Sequence, residues 1–168
     1  RRAGGADVLG TGYAQELLKG FTLFRRLVFA AALVPAVALT YGAFTNNLTA
    51  NPIDYITDTT GLTALTFLTL SLTVTPLRRL TGRNELIKLR RMLGLFAFFY
   101  ACLHLSTWVI LDWFFDFASM ASDIVDRPFI TLGMATFLML LPLAVTSTAG
   151  MIRRLGKRWQ RLHRVVYV

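Results

Sequence analysis

The 168-residue chain is 55% hydrophobic and 16% charged, with 18 Lys and Arg against 9 Asp and Glu for a formal charge of +9; its mean hydropathy is +0.54. Soluble domains carry about a quarter charged residues, so an ordinary soluble fold is excluded. The aliphatic and aromatic content excludes disorder, and a single cysteine, Cys102, set in an apolar run excludes a disulfide scaffold. The apolar residues come in blocks with basic clusters at the block ends, which is the pattern of an all-α, polytopic membrane helix bundle.

In chain order, residues 1–26 read as a cytoplasmic N-terminal tail and interfacial segment. RRAGGADVLGTG is a flexible tail, and Tyr13–Phe24 is a short amphipathic helix lying on the membrane. Residues 27–168 form the transmembrane domain. A bilayer core takes about 20 apolar residues as a helix, and four such stretches follow. They are Leu27–Phe44, interrupted by Pro35; about Gly61–Leu77, rich in Leu and Thr; Met92–Leu111, containing His104; and about Phe129–Met151. The threonines of the second stretch can bond their own helix carbonyls. Three spans after the first exclude a cleaved signal peptide. The closing LHRVVYV follows a basic segment and reads as the first turns of a fifth span, so the chain is expected to be a fragment of a longer protein.

Seventeen of the 18 basic residues lie on one side of these spans: five before the first, six between the second and third, and six after the fourth. The other side holds Asp54, Asp58, Asp112, Asp116, Asp123 and Asp126, with Arg127 alone against them. Short basic loops stay cytoplasmic, which puts the N-terminus in the cytoplasm. Trp108, Trp113, Phe114 and Phe115 form an aromatic belt at the opposite interface. The basic clusters are tethered within a few residues of the spans and carry no helix-turn-helix or zinc spacing. They serve topology and anionic headgroups rather than nucleic acid.

His104 is the one strongly ionisable side chain inside a span, which makes it a functional residue by default. The alternative is an imidazole that only packs between helices. No carboxylate accompanies it in the membrane, so iron ligation suits it better than a proton relay. Gly94, Ala97, Ala101 and His104 share one helix face within an arc of about 80°, with Arg90 at its cytoplasmic end. Such a stripe admits either a flat macrocycle or a second helix, and the Arg90 guanidinium suits heme propionates or another anionic cofactor. His163 falls where the fifth span begins, level with Arg90, whereas His104 lies about 20 Å further across the bilayer. The two histidines therefore do not clamp one iron, and a partner for His104 is expected past Val168.

TGLTALTFLTLSLTVTPLRRLTG, RRMLGLFAFFYACLHLSTW, RPFITLG and TSTAGMIRRLGKRWQRLHRVVY, over about Asn51–Val168, resemble in order and spacing the MsrQ-type membrane subunit of the bacterial periplasmic methionine sulfoxide reductase system. That family lies within the ferric-reductase-like transmembrane superfamily. The resemblance implies a six-helix b-type cytochrome of the inner membrane. Such a protein takes electrons from the quinone pool and passes them to a periplasmic molybdenum-containing catalytic subunit that reduces methionine sulfoxide in oxidised proteins. It implies heme b, with FMN as a second cofactor, and makes His104 an axial ligand. His163 becomes a candidate ligand or a cytoplasmic-side redox residue. Arg90 stands where related reductases carry a second third-helix histidine, a departure that bears on any second heme site. Arg78, Arg79 and Arg91 are candidates for FMN or quinone contact by charge alone. The chain is thus read as the electron-transfer subunit of an oxidoreductase complex, its Asp-rich loops and Trp113–Phe117 forming the contact for the partner.

Two rivals stand against this reading. A ferric or cupric reductase on the same scaffold needs a nicotinamide and flavin domain, and the chain holds no glycine-rich dinucleotide fingerprint. A cofactor-free scaffold or transporter favours broken helices in repeated halves; only Pro35 and Pro142 offer interior breaks, and the sequence around them does not repeat.

Overall fold

The structure, a computed structural model, describes residues 6–163. All regular secondary structure among these residues is helical. Helix α1 spans Ala6–Phe44, α2 Pro52–Thr81 and α3 Leu86–Thr107, which runs into a π-helical turn at Trp108–Asp112. Helix α4 spans Phe117–Asp126, α5 Pro128–Val145, α6 Ala149–Leu155 and α7 Lys157–Leu162. Four segments are long and apolar enough to cross a bilayer: Lys19–Phe44, Pro52–Thr81, Leu86–Asp112 and Pro128–Val145. They match the four expected spans, and the chain is a multi-pass membrane protein.

Three boundaries differ from expectation. No flexible tail or separate interfacial helix exists between Ala6 and Phe24, because α1 is unbroken from Ala6. No proline precedes Pro35, and Lys19 pairs with Glu16 at 3.0 Å one turn away, so nothing interrupts the helix. The fourth span stops at Val145 rather than Met151. There the Thr146 and Ser147 hydroxyls donate back to the Pro142 and Leu143 carbonyls at 2.7 and 2.6 Å. Thr148 then starts α6 by accepting from the Met151 N–H. Finally, α2 carries a proline, Pro76, beyond the two interior breaks anticipated; the helix continues past it to a left-handed C-cap at Gly82 (φ 68°). The residues read as opening a fifth span, past His163, lie outside the described residues.

Helices α2 and α3 form an antiparallel pair, and the short link Gly82–Glu85 leaves them side by side. Small and polar side chains line their contact. A Cβ on Gly94 would stand 3.3 Å from Ser71 Oγ, and that hydroxyl donates to the Arg90 carbonyl at 3.0 Å. Thr60 and Ser71 are buried on the α2 side. Small residues of this kind allow helix backbones to approach closely in lipid.

Helix α1 joins the pair through Tyr100 of α3, which is completely buried. Its hydroxyl donates to the Ala32 carbonyl at 2.7 Å and accepts from the Ala36 N–H at 3.1 Å. These backbone groups flank Pro35, which has no N–H of its own to contribute to the helix ladder. The Tyr100 ring stacks on Phe67, with centroids 5.6 Å apart, and Phe96 bridges Phe67 to Phe29 of α1. At the opposite end, Asp116 caps α4 by accepting from the Ala118 and Ser119 N–H groups. Hydrogen bonds from Ser119 hold its carboxyl below the usual carboxylate range. Asp123, nearly buried, pairs with Arg127 at 2.7 Å.

Replacing Tyr100 with Phe keeps the ring stack and removes the hydroxyl between Ala32 and Ala36. We expect a loss of about 1–2 kcal/mol, read as a lowered unfolding midpoint in mild detergent. An unchanged midpoint would mean that α1 closes its own ladder around Pro35.

Candidate functional site

His104 lies about five turns into the crossing segment that begins at Leu86, and it faces α2. Its Nδ1 is 2.9 Å from the Thr57 carbonyl oxygen. A carbonyl only accepts, so Nδ1 carries the proton. Thr60 Oγ1 lies 3.4 Å from the same nitrogen and sends its own proton to the Ile56 carbonyl at 2.7 Å, which leaves the oxygen an acceptor too. In the neutral ring this arrangement puts the lone pair on Nε2. No partner engages Nε2 among the described residues. Gly61 makes this packing possible: a Cβ there would stand 3.0 Å from Cε1 and 3.1 Å from Nδ1 of the imidazole. One turn on, Thr107 donates to the His104 carbonyl at 2.7 Å, and Thr57 Oγ1 reaches Thr107 Oγ1 at 3.3 Å.

An imidazole whose Nδ1–H is committed to a backbone carbonyl is the usual second-sphere arrangement of a metal-binding histidine. The same bond also satisfies a buried histidine that merely packs. What distinguishes the two uses is the free Nε2. Among the described residues no group of three or more His, Cys, Asp or Glu side chains forms a cage for a bare ion. The ligand chemistry available is that of single imidazole donors, which suits an axial position on a macrocycle.

The stripe on α3 has one of its two expected uses. Gly94 and His104 both lie against α2, so this face serves helix–helix contact at both ends. Beyond His104 the helix widens into the π-helical turn Trp108–Asp112, closed by bonds such as Trp113 N–H to the Trp108 carbonyl at 3.2 Å. No hydrophobic periodicity marks a single π turn.

His163 sits in a separate cluster. Its ring stacks on Trp159 with centroids 4.1 Å apart, its Nδ1 is 3.2 Å from the Trp159 carbonyl, and its Nε2 is 3.4 Å from Ser147 Oγ. The Trp159 indole N–H donates to the Thr146 carbonyl at 3.0 Å, tying α7 back to the end of α5. Burial pushes the His163 pKa down; the Trp159 carbonyl opposes this, and the nearby Arg90 charge adds to it. The Arg90 charge thus reaches the His163 ring. His104, 14 residues along α3 from Arg90 and about 20 Å away by helix rise, belongs to another level of the bundle.

Sequence reasoning found His104, His163 and Arg90 but missed Thr57, Thr60 and Gly61, which orient the imidazole, and Ser147 and Trp159, which hold the second one. The T-x-x-T-G spacing from Thr57 to Gly61 puts all three on one side of α2, but the sequence does not show which residue of α3 they face.

Because His163 is depressed below the ordinary 6.5, the unfolded chain takes up its proton first as pH falls. The docking of α7 on α5 should be at full strength above pH 6.5 and weaken as pH drops from there toward the lowered value. Histidine-selective carbon NMR should show the His163 midpoint below 6.5; a midpoint at or above it would place the ring in water.

Residues 60–168 match the family described as the ferric reductase like transmembrane component. The chain is thus a ferric-reductase-like transmembrane protein. Over 148 residues the chain is 57% identical to the protein-methionine-sulfoxide reductase heme-binding subunit MsrQ of Herminiimonas arsenicoxydans, covering 88% of this chain and 68% of that protein. It is 51% identical to the MsrQ of Ralstonia nicotianae over 151 residues, covering 89% and 70%. It is also 47% identical over 152 residues to the magnetosome protein MamZ of Magnetospirillum gryphiswaldense, covering 86% of this chain but 24% of that protein. The chain belongs to the MsrQ family. It spans about two thirds of the length of the MsrQ relatives, and the likeness reaches past Asn51 into the first span. No solved structure matches it.

Proposed function

We propose that this chain is the heme b-carrying electron-transfer subunit of a bacterial protein-methionine-sulfoxide reductase system. It sits in the inner membrane with its N-terminus in the cytoplasm, draws electrons from the quinone pool and delivers them to a periplasmic molybdenum-containing catalytic subunit. The observation that carries this reading is the hydrogen bonding of His104, with Nδ1–H on the Thr57 carbonyl and Nε2 unengaged. The names of the MsrQ relatives support the same reading.

A bound heme b supplies a one-electron iron couple. The chain's own residues do the rest. His104 offers the Nε2 lone pair, the Thr57 carbonyl raises the basicity of the ring, and Gly61 lets it lie against α2. The surrounding apolar helices exclude water. At the cytoplasmic end Arg90 presents a guanidinium suited to a propionate. His163 is the candidate ligand or redox residue at that level; to bind metal through Nε2 it exchanges Ser147 for the ion. FMN rests on the family resemblance alone and has no residue assigned to it. On the opposite face, the Trp113–Phe117 run with Phe114 and Phe117 strongly exposed, and the Asp residues around it, are the surface for the catalytic partner.

The reduced-minus-oxidised visible spectrum of the full-length parent, purified from heme-replete cells, should show a b-type α band. His104→Ala should abolish the contribution of that heme without affecting membrane insertion; a retained band would return His104 to a packing role. Gly61→Ala, which drives a methyl into the ring, should lower heme retention several-fold while His104 remains present. Arg90→Ala should shift the midpoint potential or heme retention, and no change in either would make Arg90 a topology residue only. A flat spectrum from folded parent would leave a cofactor-free scaffold.

A further inference from the structure

We propose that the crevice between the middle of α1 and the first turns of α3 is a binding site for an anionic phospholipid. The crevice has a volume of about 480 Å³ and is lined by Arg25, Arg26 and Phe29 of α1 and by Lys88, Arg91 and Met92 of α3. Helical spacing explains the set. Arg25 and Phe29 are one turn apart, as are Lys88 and Met92, so each helix contributes cations and, one turn further along, an apolar side chain.

Two features select the ligand. No acidic side chain lines the crevice, and none of its four cations takes part in an ion pair among the described residues, where the pairs are Lys19–Glu16 and Arg127–Asp123. Four like charges around one opening repel one another and attract an anion with several acceptor oxygens. The floor is apolar: Phe29 is 50% exposed although its ring packs edge-on against Phe96 of the core. A water-soluble phosphate would neutralise the rim and leave the floor bare. A phospholipid satisfies both, with its phosphate among the guanidinium groups and its acyl chains on Phe29 and Met92. The position suits such a ligand, because the lining residues lie toward the starts of the crossing segments Lys19–Phe44 and Leu86–Asp112. By contrast, Arg153 and Arg154 on the short helix α6 are exposed and take no part in lining this crevice.

Native mass spectrometry of the purified full-length protein tests this, with phosphatidylglycerol, phosphatidylcholine of the same acyl chains, and glycerol 3-phosphate as separate probes. Phosphatidylglycerol should be retained at a stoichiometry of one and in preference to phosphatidylcholine. Arg25→Ala with Arg91→Ala should weaken that retention about thirtyfold, whereas Arg25→Lys with Arg91→Lys, and Arg153→Ala with Arg154→Ala, should preserve it. Phe29→Ala keeps every charge and should selectively reduce binding of long-chain over dihexanoyl phosphatidylglycerol. Equal retention by the alanine pair, equal binding of phosphatidylcholine, or displacement of the lipid by glycerol 3-phosphate or flavin mononucleotide would overturn the proposal. The last outcome would identify a site for phosphate without acyl chains. None of these readouts depends on heme, so the lipid site stands or falls separately from the electron-transfer reading.

Discussion

In lipid, burying apolar surface gives helices no reason to associate, because the acyl chains are as apolar as leucine. Cohesion has to come from close backbone approach and from polar atoms that find partners across helix boundaries. In this bundle the partners are backbone carbonyls: Ala32 of α1 takes the Tyr100 hydroxyl, Arg90 of α3 takes Ser71, and Thr57 of α2 takes His104. Each contact satisfies a side chain that would otherwise be an unpaired polar group in a dry interior. Helix α3 takes part in all three, and its position follows from them.

The same economy links architecture to chemistry. The His104–Thr57 bond holds α3 against α2, and it also decides which ring nitrogen has a lone pair. Gly61 contributes to both, since the helix spacing and the ring position are set by the same missing methyl. A substitution that separates the helices therefore also turns the imidazole, and packing and ligand orientation at this level of the bundle vary together. His163 is held differently, by a stacked indole and a serine at a place where the chain has left its fourth span and folded back. Its surroundings depend on the junction Thr146–Thr148 more than on the bundle.

Hydropathy made the four crossings legible, because a bilayer imposes a length on any helix within it. His104 and Arg90 were legible for the same reason: an ionisable group in or beside an apolar run stands out. The residues around them did not. Thr57 and Gly61 look like any Thr and Gly of a Leu- and Thr-rich span until α2 is rotated against α3, and rotation is a tertiary property. The boundary errors have local causes. Helix α1 runs through Gly20 because one glycine costs a long helix only about 1 kcal/mol. Helix α5 stops early because Thr146 and Ser147 bond back to its last carbonyls. The π-helical turn at Trp108–Asp112 adds one residue to a single turn, which no pattern of apolar positions records.

The Tyr100 bond to Ala32 spans 68 residues of sequence, and that separation has a consequence for biogenesis. Helices leave the ribosome in chain order, so α1 enters the membrane while Tyr100 has yet to be made. Until α3 arrives, the backbone around Pro35 lacks its side-chain partner and α1 has no fixed rotation relative to the rest. The bond that fixes α1 against α3 can therefore form only after the α2–α3 hairpin, joined by a four-residue link, has been made. The first helix to be synthesised waits for its hydrogen-bond partner until the third.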